Sequence, residues 1–173
     1  INGGTINAKY YGIMKGPSST GNLTIKVTGG TLITNGNTSS APIICGNNTS
    51  STCNVTISGG TFRSSGNAVS FQDTNSTYTI TGGVFEALGT GSAIQNSGTL
   101  TLGSGNSTSS AKRITIASYN GYAVANNAGT TNYNVGTYCY TGKSSSVSAP
   151  QPVYNNGTFN LRGGRLHHSN SVN

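Results

Sequence analysis

Acidic residues are nearly missing from this chain: Asp73 and Glu86 are the only two in 173 residues, against nine lysines and arginines. That scarcity excludes much chemistry. Glycoside hydrolysis ordinarily takes two carboxylates at one site, and a calcium-dependent lyase takes several acidic ligands. Asp73 sits in a loop pattern and Glu86 in a strand pattern, so the two are not expected to converge. His167 and His168 have no His, Cys or Asp cluster at ligand spacing and read as part of a polar terminus. Catalysis, a metal site and a bound cofactor are therefore not expected.

Long apolar runs are missing as well, and no stretch approaches bilayer-spanning length, so membrane insertion is not expected. Cysteine is scarce, with three copies. Cys45 and Cys53 bracket a seven-residue loop. A disulfide there would suit an oxidising, extracellular setting; two small buried hydrophobes are the alternative. Cys139, in the alternating run Tyr138-Cys139-Tyr140, has no evident activating neighbour and reads as structural. Charged residues make up only 6% of the chain. The bases stand singly except for Lys112-Arg113 and a loose cluster at Arg162 and Arg165. No run resembles a nucleic-acid patch, whereas a net charge of +7 leaves an acidic glycan or anionic cell-wall polymer as an allowed partner.

Hydrophobic residues are also few, at 32%, where about 45–50% is usual on a count that includes Gly. A thick globular core cannot be filled from that stock. A thin one can, because in a solenoid each coil buries itself against the next. Disorder, the rival for such a polar chain, is opposed by the regular alternation of β-branched and aromatic residues.

What the chain does hold is a repeat. Tyr78-Thr79-Ile80-Thr81-Gly82-Gly83-Val84-Phe85 recurs as Ile25 to Leu32, Val55 to Phe62 and Phe159 to Leu166, with an opening copy at Ile1 to Ile6. Degenerate copies lie at Leu100-Thr101-Leu102-Gly103 and Tyr133-Asn134-Val135-Gly136. The apolar residue before the glycines, Val27, Ile57, Ile80, Leu102, Val135 and Leu161, recurs at steps of 22 to 33 residues. A constant motif at irregular steps predicts loops of varying length on one repeating scaffold. Those six residues are expected to stack as an interior ladder, with Lys26, Thr56, Thr79, Thr101, Asn134 and Asn160 facing outward. Each coil is expected to hold three short strands. The first precedes the glycines and the second follows them. The third centres on a small residue before an apolar one, as in Ala68-Val69-Ser70-Phe71 and Ala123-Val124-Ala125-Asn126. In the second strand, Arg63 and Glu86 should be neighbours on adjacent coils. The expectation is an all-β solenoid of about six coils without helices, a single domain over 1–173 that is a segment of a longer repeat protein.

The runs Val55-Thr56-Ile57-Ser58-Gly59-Gly60-Thr61-Phe62 and Ser92-Ala93-Ile94-Gln95-Asn96-Ser97-Gly98-Thr99-Leu100-Thr101-Leu102 resemble the right-handed parallel β-helix repeats, pectin-lyase-like in fold, of large bacterial surface and adhesin-like proteins. The likeness covers essentially the whole chain and implies three parallel sheets, secretion to the bacterial cell surface, and service as a stalk or fibre, stacked end to end with adjoining repeats or further copies. The same fold hosts polysaccharide-cleaving enzymes, so a glycan-binding or glycan-cleaving β-helix of the phage tailspike type is the alternative. Exposed aromatics beside Asn and Ser are how carbohydrate-binding surfaces are commonly built. Tyr10, Tyr119, Tyr122 and Tyr140 are the glycan-contact candidates, with packing between coils as the competing role.

Overall fold

Alternation at period two sends every second side chain to the same face, and strands form wherever the chain keeps it. The structure, a computed structural model, describes residues 1–48, 50–103, 113–141 and 151–168, leaving aside the side chains of 140, 141 and 168. A leading half-coil holds β1 (Thr5–Ala8) and β2 (Tyr11–Lys15). The first complete coil holds β3 (Leu23–Val27), β4 (Thr31–Thr34) and β5 (Ala41–Cys45). The next two are built from β6 (Cys53–Ser64) with β7 (Val69–Phe71), and β8 (Thr77–Ala87) with β9 (Ile94–Asn96). In these, one long strand runs through the glycine corner and does the work of two.

The fourth coil holds β10 (Thr99–Leu102), β11 (Ile114–Ser118) and β12 (Val124–Asn126). The fifth holds β13 (Thr130–Tyr133), β14 (Thr137–Thr141) and β15 (Val153–Asn155), and a trailing half-coil holds β16 (Thr158–Leu161) and β17 (Arg165–His168). All pairing is parallel, each strand lying on its counterpart one coil away. There is no helix among the described residues. The chain is thus a parallel β-solenoid of five complete coils flanked by half-coils, close to the six expected.

The core is a thin pile of inward side chains. Register places Val27, Ile57, Ile80, Leu102, Tyr133 and Leu161 in one file. The expected ladder is therefore corrected at one rung, where Tyr133 stands in place of Val135. Val135 follows two residues later, at the corner, and the outward column correspondingly runs through Asn132 and not Asn134. The physical reason is the turn. In the full copies the last inward residue lies three positions before the positive-φ glycine, as Ile57 does before Gly60 and Ile80 before Gly83. Tyr133 holds that same spacing to Gly136.

A second file stacks Ile6, Leu32, Phe62, Phe85, Ile116, Cys139 and Leu166. Ile116 and Cys139 fill rungs that the glycine motif did not mark. Stacked rings fix two points of the pile. Phe62 lies on Phe85 with centroids 4.7 Å apart, and Phe71 on Tyr78 at 4.1 Å. Such pairs add roughly 0.5–1.5 kcal/mol beyond their area burial.

The strands form one 11-stranded and one 6-stranded sheet, not the three sheets that the resemblance implies, because β6 and β8 run through the glycine corner unbroken. Each coil turns at three corners, each with its own chemistry. At the first, Gly30, Gly60 and Gly83 have φ of 94°, 103° and 124°. A Cβ on any of them would meet the preceding coil's glycine carbonyl oxygen at 3.0–3.1 Å. Only glycine combines that conformation with that approach. At the second, hydroxyls replace apolar groups: Thr34 Oγ1 donates to Ser64 Oγ at 2.8 Å, which accepts from the Gly66 backbone N–H. At the third, Asn96, Asn126 and Asn155 stack in register below Phe71. Asn96 Nδ2 donates to Asn126 Oδ1 at 3.0 Å, and Asn126 Nδ2 to Asn155 Oδ1 at 2.7 Å. Each amide also accepts or donates to the turn backbone, so the buried polar groups of the corner are satisfied.

Candidate contact surface

The expected disulfide joins Cys45, at the end of β5, to Cys53, at the start of β6. Both cysteines are fully buried. The bridge clamps the passage from one coil to the next. Cys139 points into the same core, and burial pushes its thiol up to about 12 in pKa despite a hydrogen bond with Tyr133 that acts the other way. A thiol held protonated in an apolar pile is a packing element and a poor nucleophile.

Neither carboxylate is available for paired acid–base work. Glu86 Oε2 accepts from Arg63 at 2.6 Å and 2.7 Å, in register on neighbouring strands as expected. Asp73 is fully buried, and its Oδ2 lies 3.5 Å from Lys15 Nζ, itself buried. Lys15 is not one of the scattered surface bases that its sequence position suggested. It occupies an inward rung directly above Cys45 and reaches across 58 residues of sequence to Asp73. Asp73 Oδ1 also accepts from the Asn75 backbone N–H, and the Asp73 carbonyl from the Tyr78 hydroxyl at 3.0 Å. A buried pair with these extra bonds holds the turn after β7 and is not open to substrate.

The four tyrosine candidates separate. Tyr10 is 42% exposed, beside Tyr11 and Lys9 in the leading half-coil. Tyr119 is 46% exposed after β11. Tyr122 is half-buried and its ring tilts against that of Tyr154, 5.2 Å away, which combines exposure with packing between coils. Tyr140 lies on β14, its backbone in register with Ala117 and His167. Four coils at about 4.8 Å each put Tyr10 on the order of 19 Å from Tyr119 and Tyr122. Tyr10 therefore shares no continuous platform with those two.

Two further surfaces stand out. The outer face of the strands before the glycine corner carries two columns: Thr24, Asn54, Thr77, Thr99, Thr130, Thr158 beside the column expected from the sequence, Lys26, Thr56, Thr79, Thr101, Asn132, Asn160, with Asn132 in place of Asn134. Asn160 Nδ2 donates to Asn132 Oδ1 at 3.0 Å along the second column. Coil-length variation falls in the loops and leaves this polar face in register. The other surface is on the strands that follow the glycine corner. There Tyr138 pairs with Thr115 on one side and Arg165 on the other, and the Arg113 guanidinium lies 4.4 Å from the Tyr138 ring centroid.

Fold and surface together define the chain as a polar-faced parallel β-solenoid. Comparison with protein-family models, with curated proteins and with solved structures finds no match.

Proposed function

We propose that this solenoid is a non-catalytic structural and adhesive module of the bacterial cell surface, a length of stalk or fibre that stacks end to end with adjoining repeats or further copies. The observation that carries the proposal is the parallel register from β1 to β17, which piles coil on coil and keeps the apolar side chains in two inward files. Each coil buries itself against the next, which gives the stiffness that a stalk or fibre needs. The buried disulfide agrees with an oxidising, extracellular setting. The resemblance to β-helix repeats of bacterial surface proteins belongs to the same proposal. Engagement of both carboxylates in separate ion pairs supports a role without catalysis.

Light scattering over a concentration series tests the stacking. Elongated species that grow with concentration are expected. A clean monomer at every concentration would sink this part of the proposal. Incubation with acidic and neutral polysaccharides tests the rest: chain shortening would replace it with the polysaccharide-cleaving alternative.

A further inference from the structure

Positive charge on this molecule is distributed unevenly, and the ion pairs decide where it is left over. Lys15 and Arg63 hold the two acids, which leaves seven bases. Of these, Lys9 and Lys26 lie toward the leading side, while Lys112, Arg113, Lys143, Arg162 and Arg165 all fall from residue 112 onward. Arg113, Arg162 and Arg165 are exposed.

Their setting is specific. Arg113 immediately precedes β11, Tyr138 stands on the outer face of β14, and Arg165 is its register partner on β17. Neighbouring strands run about 4.8 Å apart, so the half-buried Tyr138 ring is flanked by one arginine stacked on it and another on the next strand. Arg162 stands at the corner just before β17, its backbone N–H donating to the Tyr133 carbonyl. The outward columns of the strands before the glycine corner offer threonine and asparagine, with Lys26 as their one base.

We infer that Arg113, Tyr138, Arg162 and Arg165 form a binding face for a carboxylated polysaccharide. This deepens the adhesive role proposed above and rests on it. An arginine fork accepts a carboxylate in two parallel hydrogen bonds, and the tyrosine supplies an amphipathic surface for a sugar ring between charged groups. Arg113 and Arg165 lie on either side of the neutral Tyr138 ring, which suits carboxylates carried on separate sugars. A nucleic acid would call for a denser basic stripe.

The test measures binding of polygalacturonate, dextran and duplex DNA to the whole chain by fluorescence titration at two salt concentrations. Polygalacturonate is expected to bind in a salt-dependent manner, and dextran not to bind. The double variant Arg113→Gln/Arg165→Gln should weaken binding about tenfold or more, the equivalent of about 1.4 kcal/mol. Lys9→Gln/Lys26→Gln, which removes the same net charge elsewhere, should weaken it about twofold or less on the same scale. Arg113→Lys keeps the charge but loses the fork and the stacking, and should fall between. Thermal unfolding at the parent midpoint shows that the variants are folded; if the double variant is not, Arg113→Lys decides. Equal weakening by both doubles, preference for DNA, or no binding of polygalacturonate overturns the inference. Failure of end-to-end stacking, or shortening of the polymer, strikes the proposed function and not this face.

Discussion

At position 137 a threonine hydroxyl is buried without a hydrogen-bond partner among the described residues, on the rung where the preceding coil presents Ile114. Leaving a hydroxyl unpaired in an apolar environment costs about 1–3 kcal/mol, and replacing it with a methyl of the same shape removes that cost. Thr137→Val is expected to raise the unfolding free energy by about 1 kcal/mol, read from the urea midpoint at unchanged slope. A lowered midpoint would mean that the hydroxyl finds a partner in solution. Tyr133 shows the other side of residue-scale logic. It takes an aliphatic rung because its ring tilts against Phe159 and its hydroxyl donates to the Arg165 carbonyl at 2.7 Å. That partner lies 32 residues away and left no mark near Tyr133 in the sequence. The spacing of three to the corner glycine was the available signal.

At the scale of elements, the glycine corner sets how the first and second strands meet. The inward pairs on either side were legible because alternation and the glycine pair are local. What the corner tolerates depends on the neighbouring coil. At Gly60, φ is 103° and an added Cβ would lie 3.1 Å from the Gly30 carbonyl oxygen. Gly60→Ala is therefore expected to destabilise by roughly 1–3 kcal/mol. Gly3→Ala, where an added Cβ meets nothing within 4 Å, should be close to neutral. Equal urea midpoints for the two variants would refute this account of the corner. The third corner follows the same logic with different atoms. Asparagine was expected near a turn, but its role as a ladder, buried at Asn96 and Asn126 and ending at the exposed Asn155, comes from each amide finding the next across about 30 residues.

For the whole molecule, cohesion is close to one-dimensional: each coil is held by the coils on either side. A crosslink between successive coils therefore stabilises a boundary and the two coils that meet there. Cys45→Ser/Cys53→Ser is expected to lower stability by about 2–3 kcal/mol, from the loop entropy returned to the unfolded chain. Thermal unfolding with and without reductant checks this, and an identical midpoint in both would show that the bridge adds nothing. The Lys15–Asp73 pair spans the same boundary from inside, joining the leading half-coil to the turn after β7.

By itself, the sequence determined the solenoid class, all but one rung of the inward ladder, the glycine corners and the Arg63–Glu86 pair, and it offered the Cys45–Cys53 bridge as one of two readings. Each of these follows from short-range spacing or from aligning one motif with the next. Tertiary structure alone decided which rung Tyr133 fills, that Lys15 turns inward to Asp73, and that Arg113, Tyr138 and Arg165 share a face. Loops of unequal length separate the coils, so residues become neighbours only once packing between coils has set the register.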